Sequence, residues 1–106
     1  MLNITIRYVQ QNEESMLSYA TSDQFGLVLL INQGKDSDSI AYTKDVVEAM
    51  TDAVLSYGGT YYLPYMRYQT EEQFQSAYPK KQLFFQKKEH YDPNTRFTNY
   101  FYEHYK

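Results

Sequence analysis

The chain opens on strict alternation. Leu2, Ile4, Ile6 and Tyr8 interleave with Asn3, Thr5, Arg7 and Val9. A period of two with β-branched enrichment predicts a half-buried strand over residues 2–9. Residues 10–14 are polar and predict a turn, and residues 14–20, carrying Met16, Leu17 and Tyr19, predict a short helix. Residues 25–31 form a continuous apolar run between polar flanks. That pattern predicts a strand buried on both faces and paired with the first. Residues 33–39 are a loop of Gly, Asp and Ser suited to starting a helix. Over residues 40–57, Val46, Val47, Met50, Ala53, Val54 and Tyr57 recur at helical spacing, and Gly58-Gly59 supplies a stop.

Thr60-Tyr61-Tyr62-Leu63 predicts a third strand, cut off by Pro64. Thr70 and Gln73 form a capping box that opens a short helix through Tyr78. Pro79 suits the first turn of another helix reaching about His90. Asp92-Pro93-Asn94-Thr95 is a turn by composition, and the last ten residues predict a terminal helix made mostly of rings. The expected fold is α+β: a small antiparallel sheet of about three strands, the 40–57 helix packed on it, then short C-terminal helices. Residues 1–66 hold the strands and the long helix, and residues 67–106 form a helical segment. The aromatic residues of that segment read as a surface that packs on something outside it.

Length and composition narrow the possibilities. At 106 residues and 12.7 kDa there is room for one modest core. The chain has no cysteine, which excludes disulfide scaffolds, thiolate metal sites and cysteine nucleophiles. No apolar run approaches the length of about 18 residues that a membrane span requires. The alternating N-terminus is unlike a signal peptide, so a cytoplasmic location is expected. The net charge of −3 is unevenly spread, with 4 Lys/Arg against 10 Asp/Glu in residues 1–77 and 6 against 3 in residues 78–106. A basic, aromatic tail is compatible with single-stranded nucleic acid. Solvated helix faces explain the same charges, and a pI near 5.3 argues against a nucleic-acid partner.

Familiar catalytic constellations are missing. His90 and His104 lie on different predicted helices with no metal-ligand spacing around them. Gly58-Gly59 is an isolated pair and reads as a helix stop, not a phosphate loop. Glu13-Glu14 and Glu71-Glu72 suit helix starts. The 61–68 segment is different: it holds Tyr61, Tyr62, Tyr65 and Tyr68, with Pro64 and Arg67. Alternation along an extended chain sets Tyr62 opposite Tyr61 and Leu63. Tyrosine offers an apolar face and a hydroxyl that donates or accepts, and Arg67 suits an anionic or polyol ligand. An aromatic core patch with Arg67 at the surface accounts for the same residues, and composition alone favours it.

A wider pattern then joins these pieces. Gly58-Gly59-Thr60-Tyr61-Tyr62-Leu63-Pro64-Tyr65 is followed by Thr70-Glu71-Glu72-Gln73-Phe74 and Ala77-Tyr78-Pro79. Phe84, Lys87-Lys88, Tyr91-Asp92-Pro93-Asn94, Arg96-Phe97 and Asn99 complete it. In this order and spacing the chain resembles the C-terminal end of FAD-linked oxidoreductases of the vanillyl-alcohol-oxidase type. It is most similar to the aldonolactone and alditol oxidase branch and to the decaprenylphosphoryl-ribose oxidases. The resemblance implies a partial cap domain over residues 1–66, and a segment over 67–106 that returns to an FAD-binding domain. It implies FAD as cofactor, a small hydroxylated substrate, and a missing FAD-binding domain or subunit as partner. The chain would be a fragment, a truncated product or one half of a split enzyme.

Carried over residue by residue, Tyr62 matches a tyrosine lining the substrate cavity of the ribose-oxidase branch. Tyr65 falls where that branch has a lysine important for catalysis, a departure that replaces a cation with a hydroxyl. Arg67 is a further substrate-binding candidate on the same loop. Asn99 matches the closing turn and is the cofactor-side candidate. A different class of function fits the same sequence: a stand-alone α+β binding module that self-associates through its sheet and its tyrosine-rich surface, giving a homo-oligomer.

Overall fold

A computed structural model describes residues 2–106; Met1, the first residue of the 1–66 segment, lies outside them. The chain is α+β. Strands β1 (Asn3–Val9) and β2 (Gln24–Leu30) form an antiparallel pair. Four helices follow: α1 (Ser37–Ser56), α2 (Glu71–Ala77), α3 (Lys81–Tyr91) and α4 (Tyr100–Tyr105).

The alternation in β1 becomes a sheet face. Ile4 pairs with Leu29, Ile6 with Leu27 and Tyr8 with Phe25, and directly opposed residues share one side of the pleat. The Tyr8 and Phe25 rings meet edge to face at 6.3 Å. The expectation that β2 is buried on both faces is corrected, because most side chains of the hairpin stay exposed. Ile6 is 64% exposed, Phe25 69% and Leu27 60%. A third strand over residues 60–63 is also corrected: the sheet has two strands, and that segment has no ladder partner.

The expected helix over 14–20 is replaced by a turn, in which the Ser18 N–H donates to the Ser15 carbonyl. Side chains compete with helix formation here: the Ser18 hydroxyl accepts from the Ala20 N–H. The Asn12 N–H donates to the Ala20 carbonyl, and the Gln11 N–H to Asp23 Oδ1, so the hairpin connection folds back on itself.

Local signals set the helix ends. Asp36 caps α1 by accepting from the Ser39 N–H. At its far end Gly58 takes φ = 73°, its N–H reaching the Leu55 carbonyl while the Gly59 N–H reaches Val54. These bonds are the two of a Schellman motif, whose left-handed residue favours glycine. The capping box of Thr70 and Gln73 is present in full. Gln73 also ties α2 to α1, its amide donating to the Glu48 carbonyl and to Asp52 Oδ1. Thus α1 packs on α2, not across the strands, and its buried residue is Thr51 instead of the Val54–Tyr57 end of the expected stripe. Tyr57 is 93% exposed.

The core gathers around Phe74, which is fully buried. Its ring stacks on Tyr105 at a centroid distance of 4.1 Å and meets Tyr78, Phe85 and Phe101 at 5.6, 6.5 and 5.8 Å. Leu17, Leu55, Tyr61 and Leu63 close the cluster. The C-terminal aromatics expected to pack outside the chain divide in two: Tyr102 and Tyr105 are buried here, while Tyr91, Phe97 and Tyr100 are exposed. No strand side chain joins this core.

The consequence is an open shape. The radius of gyration is 15.2 Å, against about 13 Å for a compact chain of this length. The accessible surface is 8040 Å², against about 6,200 Å² for a folded monomer of this mass. Folding leaves much of the expected burial undone.

Candidate functional site

The linker between α1 and α2 keeps the parity of an extended segment without its hydrogen bonds. Tyr61 and Leu63 turn inward to the core, and Tyr62 turns outward. Tyr61 sits against the Tyr78 ring and its hydroxyl lies 3.3 Å from that of Tyr105. The Tyr78 hydroxyl donates to the Tyr61 carbonyl. Burial pushes the Tyr61 and Tyr78 hydroxyls well above the ordinary tyrosine range. These two are structural phenols, held neutral.

The outward residues build a different surface. The Tyr62 ring meets Tyr19 edge-on at 5.4 Å and Tyr65 at 5.1 Å. Beside them opens a groove of about 530 Å³ lined by Leu17, Leu63, Pro64, Tyr65, Met66, Arg67, Asn99, Tyr100 and Phe101. Three candidates from the sequence, Tyr65, Arg67 and Asn99, therefore meet at one place, although more than thirty residues separate Arg67 from Asn99. Tyr62 stands beside the groove through its contact with Tyr65, outside the lining itself.

Among the described residues Arg67 supplies the only formal charge in the lining. Its guanidinium lies 4.9 Å from the centre of the Tyr100 ring. Among the described residues no carboxylate lies within 4 Å of it. A cation–π contact leaves the guanidinium edge free for a ligand. Asn99 is less free: its Oδ1 accepts from the Tyr102 N–H at 2.9 Å and caps α4. Only its amide NH2 remains for a ligand.

Sequence reasoning missed three walls. Leu17 comes from the hairpin connection, and Tyr100 and Phe101 come from α4. Leu17, Leu63 and Phe101 also pack on the core cluster, so the groove floor is the outer skin of the core. The one signal for Phe101 was its spacing of four from Tyr105, which sets both on one helix face. Nothing in the sequence marked Leu17.

The turn before α4 is held by Asp92. Its carboxylate pairs with Lys88 and accepts from the Arg96 N–H at 2.8 Å and the Phe97 N–H at 2.9 Å. Lys88 and these N–H donors hold its carboxyl down at about 2, below the ordinary 3.8. The turn places Thr95 at φ = 49° and delivers Asn99 to the groove. Asp92 and Pro93 therefore serve structure.

The described residues do not fit FAD as a cradle. A dinucleotide pyrophosphate takes convergent backbone N–H donors at a glycine turn that opens a helix. Gly58-Gly59 closes a helix instead, and both N–H groups are engaged by the Leu55 and Val54 carbonyls. A second hollow, of about 350 Å³, lies at the start of α1. There the Asp36 carboxylate already occupies the helix N-terminus, so an anion is disfavoured. Among the described residues no group of three or more His, Asp or Glu side chains converges as a metal site, and no helix is long and apolar enough to cross a membrane.

Comparison with protein-family models, with curated proteins and with solved structures found no match to this chain.

Proposed function

We propose that the chain is the C-terminal cap-domain portion of an FAD-linked oxidoreductase of the vanillyl-alcohol-oxidase type. On this reading it oxidises a hydroxylated sugar-, lactone- or alditol-like substrate only together with an FAD-binding domain. The observation that carries the proposal is the groove, where Tyr65, Arg67 and Asn99 line one wall system and Tyr62 stands beside Tyr65. The family resemblance marks Tyr62 and Asn99 as matches and Tyr65 as a departure from a lysine, and Arg67 is the further candidate on the same loop.

The groove has the chemistry such a substrate needs. The rings of Tyr65, Tyr100 and Phe101 offer apolar faces to the carbon skeleton. The Arg67 guanidinium and the Tyr65 hydroxyl offer donors to its oxygens, and a charge-assisted bond from Arg67 contributes about 1.5–3 kcal/mol to binding. The 8040 Å² surface fits a piece that packs on a further body. The redox chemistry belongs to that body, since no residue described here cradles FAD.

Two measurements test this. The DNA flanking the coding region is expected to encode an FAD-binding domain, in frame or in an adjacent frame; its absence overturns the proposal. Titration of the isolated chain with FAD, followed by flavin fluorescence, is expected to show no saturable quenching. Stoichiometric binding by the isolated chain refutes the division of labour described above.

A further inference from the structure

The β1–β2 hairpin presents a face that, among the described residues, stays largely exposed. Register places Ile4 and Leu29, Ile6 and Leu27, and Tyr8 and Phe25 in opposed pairs on one side, and Leu2 continues the row. Leu2, Ile6, Tyr8, Phe25 and Leu27 are each 60–69% exposed and Ile4 is 48% exposed. Arg7, the one charged residue of the two strands, lies on the opposite side with Asn3, Thr5 and Gln24, a side that also carries Val9, Val28 and Leu30. Together these six residues expose roughly 800 Å², backbone included, close to the share one partner contributes to a standard interface and more than a monomer ordinarily leaves open in one patch.

We propose that this face is a homodimer interface, in which a second copy of the chain packs hairpin on hairpin. The match is one of size and of charge. A two-fold axis through the Ile6–Leu27 pair sets strand side chains without formal charge on an identical set, the Asp23 carboxylate that Tyr8 reaches lying at the end of the row, and the contact closes on itself. Stacking sheets face to face is an ordinary solution for two such surfaces. A two-stranded hairpin is also marginal alone, and doubling it supplies the missing layer. No strand residue lines the groove, so the dimer leaves the groove open and does not depend on the flavin reading.

The test is oligomeric state, measured by size-exclusion chromatography with light scattering across a concentration series. The wild-type chain is expected at twice its 12.7 kDa mass. The double variant Ile6→Lys/Leu27→Lys is expected at the monomer mass, and Thr5→Lys on the opposite side is expected to stay dimeric. Since the double variant risks unfolding the hairpin, thiol cross-linking provides a second readout. The chain has no cysteine, so Leu27→Cys introduces a single thiol near the proposed axis. Under oxidation it is expected to form a covalent dimer readily, and Thr5→Cys is not. A wild-type monomer at every concentration overturns the proposal. So does a dimer that survives the double lysine variant, or equal cross-linking at both positions, results that place the contact at the strand edges or elsewhere.

Discussion

Replacing Phe74 with alanine tests whether the aromatic cluster is the fold's centre. The ring is fully buried and touches four other rings, with Lys81 Nζ 5.1 Å from its centre. Burying roughly 200 Å² of aromatic surface at about 25 cal/mol per Å² corresponds to about 5 kcal/mol. Alanine retains a small part of that, and the cavity among Tyr78, Phe85, Phe101 and Tyr105 adds its own cost. The expected loss is about 4 kcal/mol, within the range measured for buried phenylalanines. Single domains have about 5–15 kcal/mol in total, and a core this small places the chain at the low end. Phe74→Ala is therefore expected to remove most of its stability.

Urea unfolding followed by far-UV circular dichroism measures the effect, with the near-UV tyrosine signal reporting packing. The midpoint is expected to fall by roughly 2–3 M for a slope typical of this size. Phe74→Leu keeps most of the volume and is expected to cost about 1–1.5 kcal/mol. Phe97→Ala is the control: Phe97 is 79% exposed, and its loss is expected to stay within about 0.5 kcal/mol. If Phe74→Ala moves the midpoint no further than Phe97→Ala, the cluster is not the core. The functional stake is direct, because Leu17, Leu63 and Phe101 belong to both the cluster and the groove.

Two further outcomes follow from the turns that frame the groove. At the end of α1, Gly58 occupies left-handed φ with open space around a notional Cβ, whereas a Cβ at Gly59 meets Val54 Cγ1 at 2.6 Å and the Val54 carbonyl oxygen at 3.1 Å. Gly58→Ala is expected to cost about 1–2 kcal/mol through backbone conformation alone, and Gly59→Ala more through the Val54 contact; a Gly58→Ala melt unchanged from wild type contradicts the Schellman reading. The second concerns acid. Because the Asp92 carboxyl is held at about 2 in the fold against an ordinary 3.8, its contribution is complete above 3.8 and fades as pH falls towards 2. Asp92→Asn is expected to flatten the loss of structure across that window in a circular dichroism acid titration, and an unchanged profile removes Asp92 from the turn's support.

Parity was legible in the sequence, and partnership was not. The inward turn of Tyr61 and Leu63 and the outward turn of Tyr62 follow from alternation, yet no strand forms there because no edge pairs with it. The apolar run over residues 25–31 predicts cover on both faces, whereas the structure leaves β2 open. The caps at Thr70 and Gly58 were legible because each is decided within a few residues. Phe74 as the core's centre was not, since its partners Phe101 and Tyr105 come from the far end of the chain. Pattern states what each residue requires of its surroundings, and long-range packing decides which requirements the chain meets by itself. The C-terminal helices meet theirs by closing around Phe74. The hairpin face and the Arg67 groove do not: the first keeps its apolar side chains exposed and the second keeps a guanidinium with no carboxylate beside it among the described residues.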